Sequence, residues 1–128
     1  MLTVLIADDE AAARYGVKKA LARQQCRILE AADGTQALQL IQNEQPDLVL
    51  LVTWPNTRVE LMTLVSDLGV PACTVEKPIA IEVRDWRALC ELERASKTKF
   101  AVCHQFRWFP PVVKCREALR LGALGRVK

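Results

Sequence analysis

Several features that commonly announce a function are missing from this 128-residue sequence. It has five cysteines, Cys26, Cys73, Cys90, Cys103 and Cys115, an odd number with no CxxC pair among them. That excludes a paired disulfide framework and the usual structural zinc motifs. It points instead to free thiols in a reducing, cytoplasmic setting. No apolar run approaches the roughly 18–20 residues needed to span a bilayer, and acids arrive by Asp8 after a short apolar stretch, so no membrane span and no signal peptide are expected. No linker, repeat or low-complexity segment breaks the chain, which suits one domain covering 1–128. A net charge of +3 is too small to argue for nucleic acid. The charge is uneven, however: residues 1–51 carry net −2 and residues 52–128 net +5.

What is present is a regular alternation. Short apolar, β-branched runs at 2–7, 26–32, 47–53, 71–76 and 100–106 read as buried strands. Between them lie helical patterns at 10–24, 36–44, 57–69 and 81–97, with a last helix after Pro110-Pro111 that ends at Gly122. Asp33-Gly34-Thr35 has turn and cap chemistry, Pro46 closes the second helix, and Gly69 stops the third. Five strands alternating with five helices predict a three-layer αβα sandwich, α/β in class, around a five-stranded parallel sheet. Right-handed crossovers favour the flavodoxin-like order 2-1-3-4-5. Ligands in such folds bind at the carboxyl ends of the strands, here Asp8-Asp9, Val52-Thr53, Glu76-Lys77 and His104-Gln105. His104 itself is read as a strand-end histidine without a ligand role.

The stretches VLIADDE and ILEAADGTQALQLIQNEQPDLVLL, within residues 1–51, resemble the receiver domain of bacterial response regulators. The resemblance implies that Asp8 and Asp9 hold Mg²⁺, a hard cation suited to carboxylate and water oxygens. It also implies a phosphate-accepting aspartate after PDLVLL. Val52 stands there, so no phosphoacceptor is expected. The lysine that the family places after its fifth strand is absent from CHQFRW.

From residue 52 the sequence resembles the nucleotide-binding (Rossmann) domain of the Gfo/Idh/MocA oxidoreductases. The Pro55-Asn56 turn, Glu76-Lys77-Pro78, Arg107-x-x-Pro110 and Gly122-x-x-Gly-Arg-Val127 occur in family order. The resemblance implies that Lys77 lies beside nicotinamide and substrate, with Asn56, Glu76 and Arg107 lining the cofactor site. A lysine with lowered pKa can orient or protonate a substrate oxygen. The glycine-rich turn that lets backbone approach a diphosphate is absent, and ADDEAAAR takes its place. Val59 stands where many members have histidine.

The two resemblances meet at Leu51 and Val52. They lead to the expectation of an engineered chimera, a de novo design in which a receiver-like piece, 1–51, is fused to a dehydrogenase-like piece, 52–128. On that reading the chain is a scaffold with no evolved catalytic or signalling activity, no enzyme and no cofactor, and Lys77, Asn56, Glu76 and Arg107 are remnants. The alternatives are a receiver-like module that binds Mg²⁺ weakly at Asp8 and Asp9 without phosphorylation, and a remnant NAD(P)-binding fragment. No partner, nucleic acid or membrane is expected, and the chain is read as a monomer or an adventitious homodimer.

Overall fold

The computed structural model describes residues 1–123 and 125. Its elements run β1 (Leu2–Ala7), α1 (Ala11–Leu21), β2 (Cys26–Ala31), α2 (Gly34–Glu44), β3 (Leu48–Leu51), α3 (Arg58–Asp67), β4 (Ala72–Glu76), α4 (Val83–Ala95), β5 (Lys99–Cys103) and α5 (Pro110–Arg120). Single 3-10 turns at Pro55–Thr57 and Gln105–Trp108 precede α3 and α5. All four strand pairings are parallel and the order is β2-β1-β3-β4-β5. The expected α/β class and strand order are those observed.

Local chemistry sets the boundaries. The Asp33 carboxylate accepts a hydrogen bond from the Gln36 amide at 2.7 Å, capping α2. The Gln36 side chain reaches back and accepts from the Ala32 amide at 2.8 Å. At the other end Gln45 enters the left-handed region at φ 44°, and Pro46 prevents further helix. Helix α3 ends on Gly69 at φ 73°, where a side chain would be strained. The Asp47 carboxylate then accepts from the Thr3 amide at 2.7 Å, fastening the start of β3 against β1.

The core lies on one side of the sheet. Leu5, Val49, Leu51, Cys73 and Val75 pack with Ala37 and Ile41 of α2, Met62 and Val65 of α3 and Leu89 of α4. Side chains alternate across a strand, so Val4 and Ile6 are buried on the opposite face. On that face α1 has no buried residue, and α5, which follows the turn at Gln105–Trp108, buries none either. The fold therefore has one thick layer interface and one thin one. No helix among the described residues is long and apolar enough to cross a membrane.

Candidate ligand crevice at the strand carboxyl ends

Strands β1 and β3 are neighbours, but their following helices leave in different directions, since α1 leads to β2 and α3 leads to β4. This is the switch point at which doubly wound sheets open a crevice. A cavity of about 620 Å³ lies there. Its apolar wall includes Ala7, Ala37, Leu38, Ile41, Leu61 and Leu64, and its rim carries Asp8, Asp9, Glu10, Asp33 and Glu60. None of the lining residues is Lys, Arg or His. Carboxylates around an apolar body favour ligand groups that donate hydrogen bonds or carry positive charge, and they oppose a bare anion.

Asp8 is buried, and its carboxylate is already engaged, accepting from the Glu10 amide at 2.8 Å. Its carbonyl accepts from Arg14 Nη1 at 2.7 Å. Asp9 is exposed on the rim. The two stand as a pair: among the described residues no group of three or more His, Cys, Asp or Glu is arranged to hold a metal ion. Val52 is half-buried in the crevice wall, its amide donating to the Ala7 carbonyl at 3.2 Å. A valine offers no oxygen there.

The remaining sequence-derived positions fall outside this cavity's lining. Asn56 is exposed in the turn before α3. Glu76 ends β4, and Lys77 is exposed beyond it, its amide donating to the Glu76 carboxylate at 3.3 Å. The Lys77–Pro78 peptide bond is cis. Lys77 makes no ion pair with Asp8 or Asp9 within 4.0 Å among the described residues. Arg107 is exposed in the turn before α5, where its carbonyl accepts from Arg116 Nη2 at 3.2 Å. The Arg116 guanidinium sits 5.7 Å from the Trp108 ring centre. His104 is exposed at the end of β5. Of the Gly-x-x-Gly-Arg-Val motif, Leu124, Arg126 and Val127 lie outside the described residues.

Two residues were not anticipated. Arg58 opens α3 and is wholly buried. Its Nη1 donates to the Glu76 carbonyl at 2.7 Å and its Nη2 to the Thr53 carbonyl at 2.6 Å. Its Nε and the Thr53 hydroxyl are buried without a partner. Desolvation pushes the guanidinium pKa below its ordinary value, opposed by the nearby Cys73, Glu76 and Cys103. Arg58 sits in the polar run Asn56-Thr57-Arg58, where no sequence period marks a buried position. The other is Asp33, which helps close the crevice while capping α2. Its position just beyond β2 was the available signal.

The architecture is a doubly wound α/β fold with its crevice at the β1/β3 switch point. Comparison with known proteins places it further. The response regulator receiver domain family matches residues 4–53. D-apiose dehydrogenase of Paraburkholderia graminis is 32% identical over 89 residues, 70% of this chain and 24% of that enzyme. An oxidoreductase of Agrobacterium radiobacter, solved with NAD⁺, L-tartaric acid and magnesium, superposes with a TM-score of 0.80 at 17% identity, over 98% of this chain and 42% of that one. An oxidoreductase of Thermotoga maritima gives a TM-score of 0.78 at 22% identity, over 97% and 44%. The chain thus spans about a quarter of the curated relative and under half of these structures.

These findings correct the expectation of an engineered two-piece chimera. Nearly the whole chain, including residues 1–51, superposes on one continuous oxidoreductase fold. The dehydrogenase likeness covers 89 residues, more than the chain has beyond Leu51, so it crosses the supposed junction. The physical reason the junction misled is that a buried parallel strand such as LVLL reads alike in both families. The expectations of a de novo scaffold, of no enzyme, and of no cofactor beyond weak Mg²⁺ fall with it, because the repeated likeness is to oxidoreductases, one of them solved with NAD⁺.

Proposed function

We propose that this chain is the nucleotide-binding module of an oxidoreductase related to the sugar dehydrogenases, acting in the cytosol, with its ligand held at the strand carboxyl ends and a nicotinamide dinucleotide as the ligand class. The single observation that carries this is the crevice of about 620 Å³ at the β1/β3 switch point. The 32% identity to D-apiose dehydrogenase gives it a chemistry.

The fit to the cofactor is uneven. The apolar wall suits an adenine ring, and the Asp33 carboxylate suits the hydroxyls of a ribose. The turn after β1 does not suit a diphosphate. It holds Asp8, Asp9 and Glu10 and no glycine, and the Glu10 amide is already bonded to Asp8. Like charges at that turn repel phosphate oxygens. The same carboxylates disfavour the extra phosphate of NADP more than they disfavour NAD.

Trp54 lies on the crevice wall and is 79% exposed, so it reports on ligand entry. In a chain carrying Trp86→Phe and Trp108→Phe, titration with NAD⁺, NADP⁺ and adenosine should change Trp54 fluorescence for NAD⁺ and adenosine at lower concentration than for NADP⁺. No saturable change with any of the three at millimolar concentration sinks the proposal.

A further inference from the structure

We propose that Arg58 is a positioning residue: a buried guanidinium clip that joins the loop after β3 to the loop after β4, and so sets the spacing of Asn56 and Lys77. The observation is specific. Arg58 is 0% exposed, yet it has no carboxylate within 4.0 Å among the described residues. Its partners are two main-chain carbonyls from different segments, Thr53 in the loop after β3 at 2.6 Å and Glu76 at the end of β4 at 2.7 Å. A buried charge without a contacting ion-pair partner is costly, and the Glu76 carboxylate acts on it only from beyond 4.0 Å. Charge-assisted bonds to carbonyls recover part of that cost, and a planar fork can make two at once.

The carbonyls it holds are informative in their position. Parallel pairing of β3 with β4 ends at Leu51 and Val75. Beyond those residues β3 and β4 no longer pair with each other, although Glu76 still pairs with Cys103 of β5. Thr53 stands three residues before Asn56, and Glu76 directly precedes Lys77. Arg58 thus bridges the two chains one or two residues beyond their last paired positions, just where the two loops diverge. A lysine in its place has a point charge on a flexible stem and loses the two-pronged geometry. The clip is a feature of the chain itself; only its consequence for nucleotide affinity rests on the function proposed above.

The test is hydrogen exchange on the full chain, comparing wild type with Arg58→Lys and Arg58→Met. Both variants should exchange faster, by roughly tenfold or more, in the segments 52–56 and 76–80 together, while β2 and α2 keep their rates. Acceleration of one loop alone, a uniform acceleration across the chain, or no change would each overturn the clip. Should the variants fail to fold, nitrogen NMR of the wild type decides: a pinned guanidinium gives separate, slowly exchanging Nη signals for Arg58, whereas one averaged signal overturns the assignment. In folded variants that show the paired acceleration, a weakened NAD⁺ response at Trp54 carries the positioning into binding. A wild type that does not bind NAD⁺ defeats the proposed function and leaves the exchange result to judge the clip.

Discussion

The two faces of the sheet are built to different standards. On one, α2, α3 and α4 each bury side chains against β1, β3 and β4. Outside that layer, α1 and α5 bury none, and Leu121, Trp108 and Phe106 stand largely exposed. The difference shows which half of the molecule positions the crevice. Its apolar wall comes mainly from α2 and α3, with Ala13 from α1, so the well-packed layer carries most of the candidate site. The thin layer contributes less: Ala13 to the lining and Arg14 as a support for the Asp8 carbonyl.

The largest expected effect tests that contrast. Leu5 is fully buried on the thick side, and Leu5→Ala should cost about 3–4 kcal/mol through lost burial and the cavity left behind. Val17 on α1 is only half-buried, and Val17→Ala should cost less than about 1 kcal/mol. Urea unfolding of both variants measures the gap. Equal losses would mean that the two faces are equally packed.

Much of this fold was legible beforehand because its signals are local. Strand runs of β-branched residues, the Asp33 cap, Pro46 and Gly69 fixed element order to within a few residues. The order of strands followed from right-handed crossovers. The site was less legible. Asp8, Asp9 and Val52 do meet in the crevice, but Lys77, Glu76, Asn56 and Arg107 lie outside its lining. Arg58 escaped notice because a charged residue beside a turn normally reads as solvent-exposed, and its burial depends on two carbonyls that only the assembled sheet brings together. The mistaken junction at residue 51 had a similar origin, since a four-residue buried strand carries too little pattern to belong to one family.

The alkaline range sharpens the picture of the thick side. Burial pushes the Cys73 thiol from 9.0 up to about 12. A raised folded-state pKa means that the contribution is complete below about pH 9, where both states keep the proton. Between about pH 9 and 12 the unfolded chain loses it first, so stability falls by about 1.4 kcal/mol per pH unit. Denaturant midpoints at pH 8, 9 and 10 should therefore drop more steeply for wild type than for Cys73→Ala. Parallel slopes would mean that Cys73 titrates normally and that its side of the sheet admits water.

A smaller effect belongs to the rim. Asp33→Ala removes the α2 cap and should destabilise by about 1 kcal/mol. Because Asp33 also lines the crevice, the same variant should weaken adenosine binding at Trp54. Asp33→Asn separates the two roles: an amide oxygen still caps, so stability should return, while the loss of negative charge should leave adenosine binding weakened. Recovery of both would assign Asp33 to the cap alone.

The smallest effect is expected on α5, and it bears most directly on the contrast between the faces. Leu119 is 47% exposed, and α5 contributes no buried residue to the fold. Leu119→Ser should then change stability by no more than about 0.5 kcal/mol. Cys115, exposed on the same helix, should react promptly with a thiol reagent under conditions in which Cys73 stays unmodified. A loss approaching that of Leu5→Ala would mean that α5 packs on the sheet in solution. A Cys115 protected in the wild type and released by Leu119→Ser would carry the same meaning, because both residues would then share one covered surface. Near-neutral stability with a reactive Cys115 would keep the asymmetry and locate the fold's stabilising contacts on the side that forms the crevice.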